Sequence, residues 1–263
     1  MFTGNMVTEA IPARVYALYK IACSKKEITK TEVQSLMEPK GIYEGSSYFS
    51  PILKAATELK LVDIENNVIV PSVPKEQIKD MDAFRLYVIS KLNSFTGEQF
   101  FLCTNALVNA NEKVFELGKI SDTAMLNYLS DSSGQQISAP MARGLRFWLQ
   151  FLGFGYMQDF YFLPNAYIFA KNVLKLMDLK KNEEYKMKDF INSFNSYGEI
   201  LTLNMQPEKN INLAFSSALR QLHDNKEIEL KYGSDAENRW TLFPSAVAFN
   251  NQIDSIVYKG VRK

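Results

Sequence analysis

Histidine is almost missing from this chain, and cysteine nearly so: one histidine, His223, and two cysteines, Cys23 and Cys103, stand among 263 residues. Metal centres built on imidazole and thiolate need three or four such ligands, which excludes a zinc ribbon or a His-rich site. The two cysteines lie far apart in apolar helical settings and read as buried reduced thiols. Any Ser-His-Asp or Cys-His group would have to be built on His223, which ends a helical pattern in LHDN, where a partial positive charge suits the helix C-terminus. Long hydrophobic runs are lacking as well. The segment FWLQFLGFGYM is broken by polar residues well short of the roughly 20 that span a bilayer, so no membrane association is expected. The opening MFTGNMVTEA has no basic region ahead of an apolar core, so the cytoplasm is the expected compartment. Finally, neither sign of charge dominates, with 30 Lys and Arg against 29 Asp and Glu. A protein that holds nucleic acid mainly through phosphates shows a stronger basic excess.

The motifs of common chemistries are missing too. GxxxxGK[ST], HExxH and paired CxxC do not occur. GFG at 153 to 155 lacks the third glycine, the preceding strand and the following helix of a nucleotide loop, and reads as a turn. Glu183, Glu184 and Asp178 sit in charged loops, where carboxylates keep ordinary protonation. The expectation is therefore a protein that is not an enzyme, with no cofactor, no metal and no small-molecule substrate.

What the chain does have is apolar bulk, 46% of its residues, of which aromatics make 13% of the whole. That is ample for packed cores, and the length suits two or three domains. One phrase recurs: VIVPS at 68 to 72, YFLPN at 161 to 165 and TLFPS at 241 to 245. Ahead of each lies a helical face at spacing i, i+3, i+4, i+7, made by Phe49, Ile52, Leu53 and Ala56, by Leu145, Trp148, Leu149 and Leu152, and by Phe215, Ala218, Leu219 and Leu222. Between helix and phrase, LKLVDIENN, GFGYMQDFYF and KEIELKYGSDAENRW each read as a hairpin. Proline, which sets φ and donates no ladder bond, suits the end of the last strand.

The full order of helix, short strand, helix, helix, hairpin is that of a winged helix-turn-helix. The expected fold is mainly α with small β hairpins, arranged as three tandem winged helix-turn-helix domains. Their bounds are 1–72, 73–165 with a helical insert, and 166–245, followed by a basic tail at 246–263. EIT and EYKM supply the short strands, and Ser50 with Pro51 reads as the start of the first template helix, with Ser46 or Ser47 as the alternative cap of an earlier start.

Such a fold recognises rather than reacts. Its third helix enters the DNA major groove and its wing meets phosphate. In the third unit, Asn212, Ser216, Arg220 and Gln221 lie opposite the apolar stripe, with Lys231 and Arg239 on the wing. Arg143, Arg146 and Gln150 form a similar face in the second, while the first offers only Lys54 beside an acidic wing. Asn, Gln and Arg make bidentate contacts with base edges, so double-stranded DNA is the expected partner. The alternative is a protein-protein adaptor that binds through the aromatics Phe147, Phe151, Tyr156 and Phe160, without direct DNA contact.

The segments IPARVYALYKIA, ARGLRFWLQFLGFGYMQDFYFLPN and INLAFSSALRQLHDNKEIELKYGSDAENRWTLFP together resemble the DpdG-type proteins. These belong to bacterial clusters that insert 7-deazaguanine derivatives into DNA and restrict foreign DNA. The resemblance implies a setting, an accessory component among other protein subunits of a DNA-modification or phage-defence complex, and brings no catalytic residues with it.

Overall fold

All twelve residues of the three apolar templates are buried. Burying a side chain of Leu or Phe size is worth about 1.5–3 kcal/mol, so these three stripes are a main source of the fold's stability. The computed structural model describes residues 1–41, 45–205, 208–233, 239–245 and 251–261. About half of the chain is helical, with small antiparallel hairpins.

The first unit runs α1 (Pro12–Ala22), α2 (Lys30–Met37), α3 (Phe49–Glu58), β1 (Val62–Glu65) and β2 (Val68–Pro71). Thr29 and Glu32 cap α2 reciprocally, and Thr29, within the predicted short strand, bridges to Val68. α3 begins at Phe49, ahead of the predicted Ser50. Its orphan N–H groups are met by Glu38, whose Oε1 accepts from the amides of Tyr48 at 2.6 Å and Phe49 at 2.9 Å. The β1–β2 turn places Asn66 and Asn67 at φ 48° and 66°, the left-handed pair that a two-residue hairpin needs.

The second unit begins with the predicted surplus of helix: α4 (Met81–Lys91), a 3-10 turn at Leu92–Phe95, α5 (Gln99–Asn109) and α6 (Lys113–Glu116). There follow α7 (Thr123–Ser133), α8 (Ala139–Leu152), β3 (Gly155–Gln158) and β4 (Tyr161–Pro164). Gly153 ends α8 at φ 82°, where an added Cβ would lie 2.5 Å from Ile168 Cβ. GFG is thus the helix stop before the hairpin.

The third unit contains α9 (Tyr167–Leu176), β5 (Glu184–Lys186), α10 (Met187–Thr202), β6 (Asn210–Ile211), α11 (Leu213–Asp224), β7 (Ile228–Lys231), β8 (Trp240–Leu242), β9 (Gln252–Ile253) and β10 (Ser255–Tyr258). Here the expected hairpin is replaced. β7 does not pair with β8 but with β10, which lies between β5 and β7, with Ile256 opposite both Leu230 and Tyr185. β8 instead pairs parallel to β6 and antiparallel to β9. Burial explains the choice. SIVY carries a run of apolar residues suited to a strand flanked on both sides, and Trp240 and Leu242 fill a separate part of the core. Of the predicted tail, Gln252–Ile253 and Ser255–Tyr258 are therefore strands, one in each of the two sheets, and 246–250 lie outside the described residues. Arg262 and Lys263, and most of the charged loop in the third phrase's approach (234–238), lie outside the described residues.

The units share one continuous core reaching from Met1 to Ile256. The N-terminal segment is wedged against α8. Trp148 Nε1 donates to Ala10 O at 2.8 Å, and Phe2 meets the Trp148 ring edge-on at 4.7 Å. Gly144 is required there, since an added Cβ would stand 2.6 Å from Val7 O. Among the described residues, no helix is long and apolar enough to cross a membrane.

Candidate nucleic-acid interface

The sequence nominates two helices as readers of DNA, and they meet opposite fates. The polar residues of α11 named as readers are engaged within the protein. Asn212 is 5% exposed and caps the helix, its Oδ1 accepting from Phe215 N at 2.9 Å while its Nδ2 donates to Leu201 O and Asn109 Oδ1. Ser216 is fully buried, donating to Ile211 O and accepting from Phe243 N at 2.8 Å. Arg220 Nη2 donates to Phe243 O at 2.6 Å and to Asn251 Oδ1 at 3.0 Å. Burial pulls its guanidinium below the usual arginine pKa. Gln221 is half-buried and accepts from Asn165 Nδ2 at 3.5 Å.

Of these four residues expected to face a duplex, Asn212 and Ser216 are instead buried, and Arg220 and Gln221 are half-buried with partners inside the protein. Ser216 and Arg220 are held by Ile211 of β6, by Phe243 after β8 and by Asn251 before β9, while Asn212 is tied to α10 and α5 and Gln221 to Asn165. The expected wing residues are also engaged. Lys231 is paired with Glu184 at 3.0 Å, and Arg239 is half-buried in a recess shared with Asp254.

α8 differs. It follows α7 through a short turn opened by Gly134 at φ 66°, and it carries two arginines and no acidic residue. Arg143 and Gln150, two turns apart, are exposed, as is Pro140 in the first turn. Arg146 lies between them in register, its guanidinium 4.6 Å from the Phe147 ring centroid and 4.4 Å from that of Phe160 on the β3–β4 turn. Helix and hairpin are thereby joined by a cation held between two rings. Beyond it the hairpin exposes Tyr156, Phe160 and Tyr161, and Lys119 reaches its turn to pair with Asp159 at 3.0 Å. Of the aromatics expected to form a surface, Phe151 instead packs inward on Phe84 beneath Arg85. Lys54 of the first unit is exposed and lies 3.8 Å from Glu58.

Groups with catalytic potential are quiet. His223 Nδ1 accepts from Leu230 N at 3.2 Å, which fixes the ring against β7. Burial pushes the Cys103 thiol up to about 12 and raises that of Cys23, so neither is a ready thiolate.

One feature was not foreseen. Five asparagines, Asn109, Asn111, Asn204, Asn210 and Asn212, line a cavity of about 450 Å³ together with Thr241. The Asn-rich stretch FINSFNSYGEILTLN is mostly α10, and the i, i+4 pair Asn105 and Asn109 lies on α5, so the amide seam joins helices far apart in the sequence. No protein-family model, curated protein or solved structure matches the chain.

Proposed function

We propose that the protein is a non-enzymatic, DNA-binding accessory component built from three tandem winged helix-turn-helix units, and that it contacts duplex DNA through the second. The carrying observation is the exposed stripe of α8, where Arg143 and Gln150 stand free on a helix that lacks acidic residues and follows a short turn. In this reading α8 enters the major groove, where Arg suits guanine and Gln suits adenine edges. The β3–β4 hairpin, clamped to α8 through Arg146, is the wing. The resemblance to DpdG-type proteins supports a place in a DNA-modification or defence complex in the cytoplasm.

With Lys119 neutralised by Asp159, Arg143 and Arg146 are the cations left on this face, so roughly one to two phosphates are neutralised and log affinity should fall against log salt with a slope of about −1 to −2. Titrating a labelled duplex into the intact chain at several salt concentrations measures it. Arg143→Ala should lower the slope by about one, and Gln150→Ala should weaken binding without changing the slope. A wild type that shows no salt-dependent duplex binding would sink the proposal. That result would favour the second reading, a protein adaptor, for which the exposed Tyr156, Phe160 and Tyr161 speak, because aromatics concentrate at protein interfaces.

A further inference from the structure

The asparagine-lined cavity lies between the C-terminal ends of α5 and α10, the N-terminus of α11 and the strands β6 and β8. Among the described residues its lining holds no charged side chain, and its volume of about 450 Å³ falls in the range of small-ligand sites. The orientation of each amide follows from groups that can only accept or only donate.

Ile200 O can only accept, so Asn105 turns its NH₂ to it and presents Oδ1 to Asn204, whose NH₂ donates at 2.9 Å. That leaves Asn204 Oδ1 as a free acceptor among the described residues. Asn105 O likewise takes the NH₂ of Asn109, whose Oδ1 receives Asn212. Leu213 N can only donate, so Asn111 offers it Oδ1 at 2.7 Å and keeps its NH₂ as a free donor among the described residues. Thr241 adds a hydroxyl, while Phe243 and Pro244 give the cavity an apolar wall. Ser216 and Arg220 hold the backbone of Phe243 from behind.

Asn210 turns its NH₂ to Glu208 and adds a second free Oδ1 among the described residues. A lining of amides that offers one fixed donor, fixed acceptors and an apolar wall suits a flat, neutral heterocycle with an amide-like edge. We infer that this cavity binds a nucleobase, with Asn111 donating to a ring carbonyl or ring nitrogen and Asn204 accepting from a ring N–H or amino group. The inference departs from the expectation of no small-molecule ligand, and it does not depend on the α8 reading.

The test is calorimetric titration of the intact protein with adenosine, guanosine, cytidine and thymidine in separate runs. Asn111→Asp is the decisive variant. A carboxylate keeps the acceptor for Leu213 N, suits a helix N-terminus and tolerates the φ of 52° at this position, but replaces the ligand-facing donor by an acceptor. The expected result is binding of at least one nucleoside, weakened about tenfold or more by Asn111→Asp with Tm unchanged. Thr241→Val, which keeps shape and removes the hydroxyl, serves as a second variant and should weaken binding severalfold.

Two results would overturn the inference: no heat from any nucleoside at millimolar concentration, or equal affinity in Asn111→Asp and wild type. A short single-stranded oligonucleotide that competes for the site identifies a base within a strand as the source, and failure to compete identifies a free nucleoside. Arg143→Ala should leave nucleoside binding intact and Asn111→Asp should leave duplex binding intact, so the two proposals fail separately.

Discussion

Asn212→Ala distinguishes an asparagine that reads DNA from one that holds the fold together. The substitution removes the cap that Phe215 N uses, worth about 1 kcal/mol. It also strips the buried Leu201 O of its donor, which costs roughly 1–3 kcal/mol. The two losses together predict destabilisation of about 2–4 kcal/mol, or a fall in Tm of roughly 10 °C for a chain of this size. Urea unfolding followed by far-UV circular dichroism and by the fluorescence of the buried Trp148 and Trp240 measures it. Asn212→Asp refines the experiment. At an exposed cap Asp and Asn are nearly equivalent, but here a carboxylate would face Leu201 O and Asn109 Oδ1 with no hydrogen to give. It should therefore destabilise despite being a good cap. A stability within about 0.5 kcal/mol of wild type for Asn212→Ala, the size of an ordinary surface change, combined with lost duplex affinity, would refute the buried placement and return α11 to the DNA.

Lys171→Met should cost about 3–5 kcal/mol, because Glu227, 2% exposed, loses the ammonium that lies 2.7 Å from its Oε1. Adding Glu227→Gln should recover most of the loss, and a single variant as stable as wild type in urea would contradict the pair's importance. Glu38 predicts a pH effect. Partial burial opposes its charge, but hydrogen bonds from Gln34, Ser47 and the amides of Tyr48 and Phe49 outweigh that and hold its pKa below the ordinary 4.5. Its stabilisation is therefore complete above about pH 4.5 and is lost as pH falls through the lowered folded value. Glu38→Gln should flatten the acid side of a plot of urea midpoint against pH between about 3 and 6, and an unchanged plot would show that the carboxylate does not cap α3 in solution.

Local signals in the sequence were legible where local physics decided the outcome. The i, i+3, i+4, i+7 stripes are buried because a helix with a continuous oily face has nowhere else to put it. The Asn-Asn turn of β1–β2 and the Gly153 stop after α8 follow from which residues accept positive φ. Strand pairing in the third unit was not legible. IELK and WTL both read as members of a hairpin, and only the competition from SIVY, some 25 residues further on, redirects β7 to β10. No short window contains that choice. The amide seam was hidden for a related reason, since Asn105 and Asn109 meet Asn204 and Asn212 about a hundred positions away.

The different fates of α8 and α11 have a cause that the sequence does carry, though on the face opposite the one that the apolar template examines. Behind its stripe, α11 carries Ser216 and Ser217, side chains small enough for another segment to approach the helix closely. Ser216 Oγ takes the amide of Phe243 directly, a contact that a longer side chain would prevent. Behind its own stripe α8 carries Arg143, Phe147 and Gln150, whose bulk keeps any covering element away, and the same helix uses Gly144 on its buried side to admit the N-terminal segment. A polar residue opposite an apolar stripe therefore faces solvent only when its neighbours on that face are large. Where they are small, the helix is packed on two sides and its polar groups must find partners inside, as Asn212, Ser216 and Arg220 do.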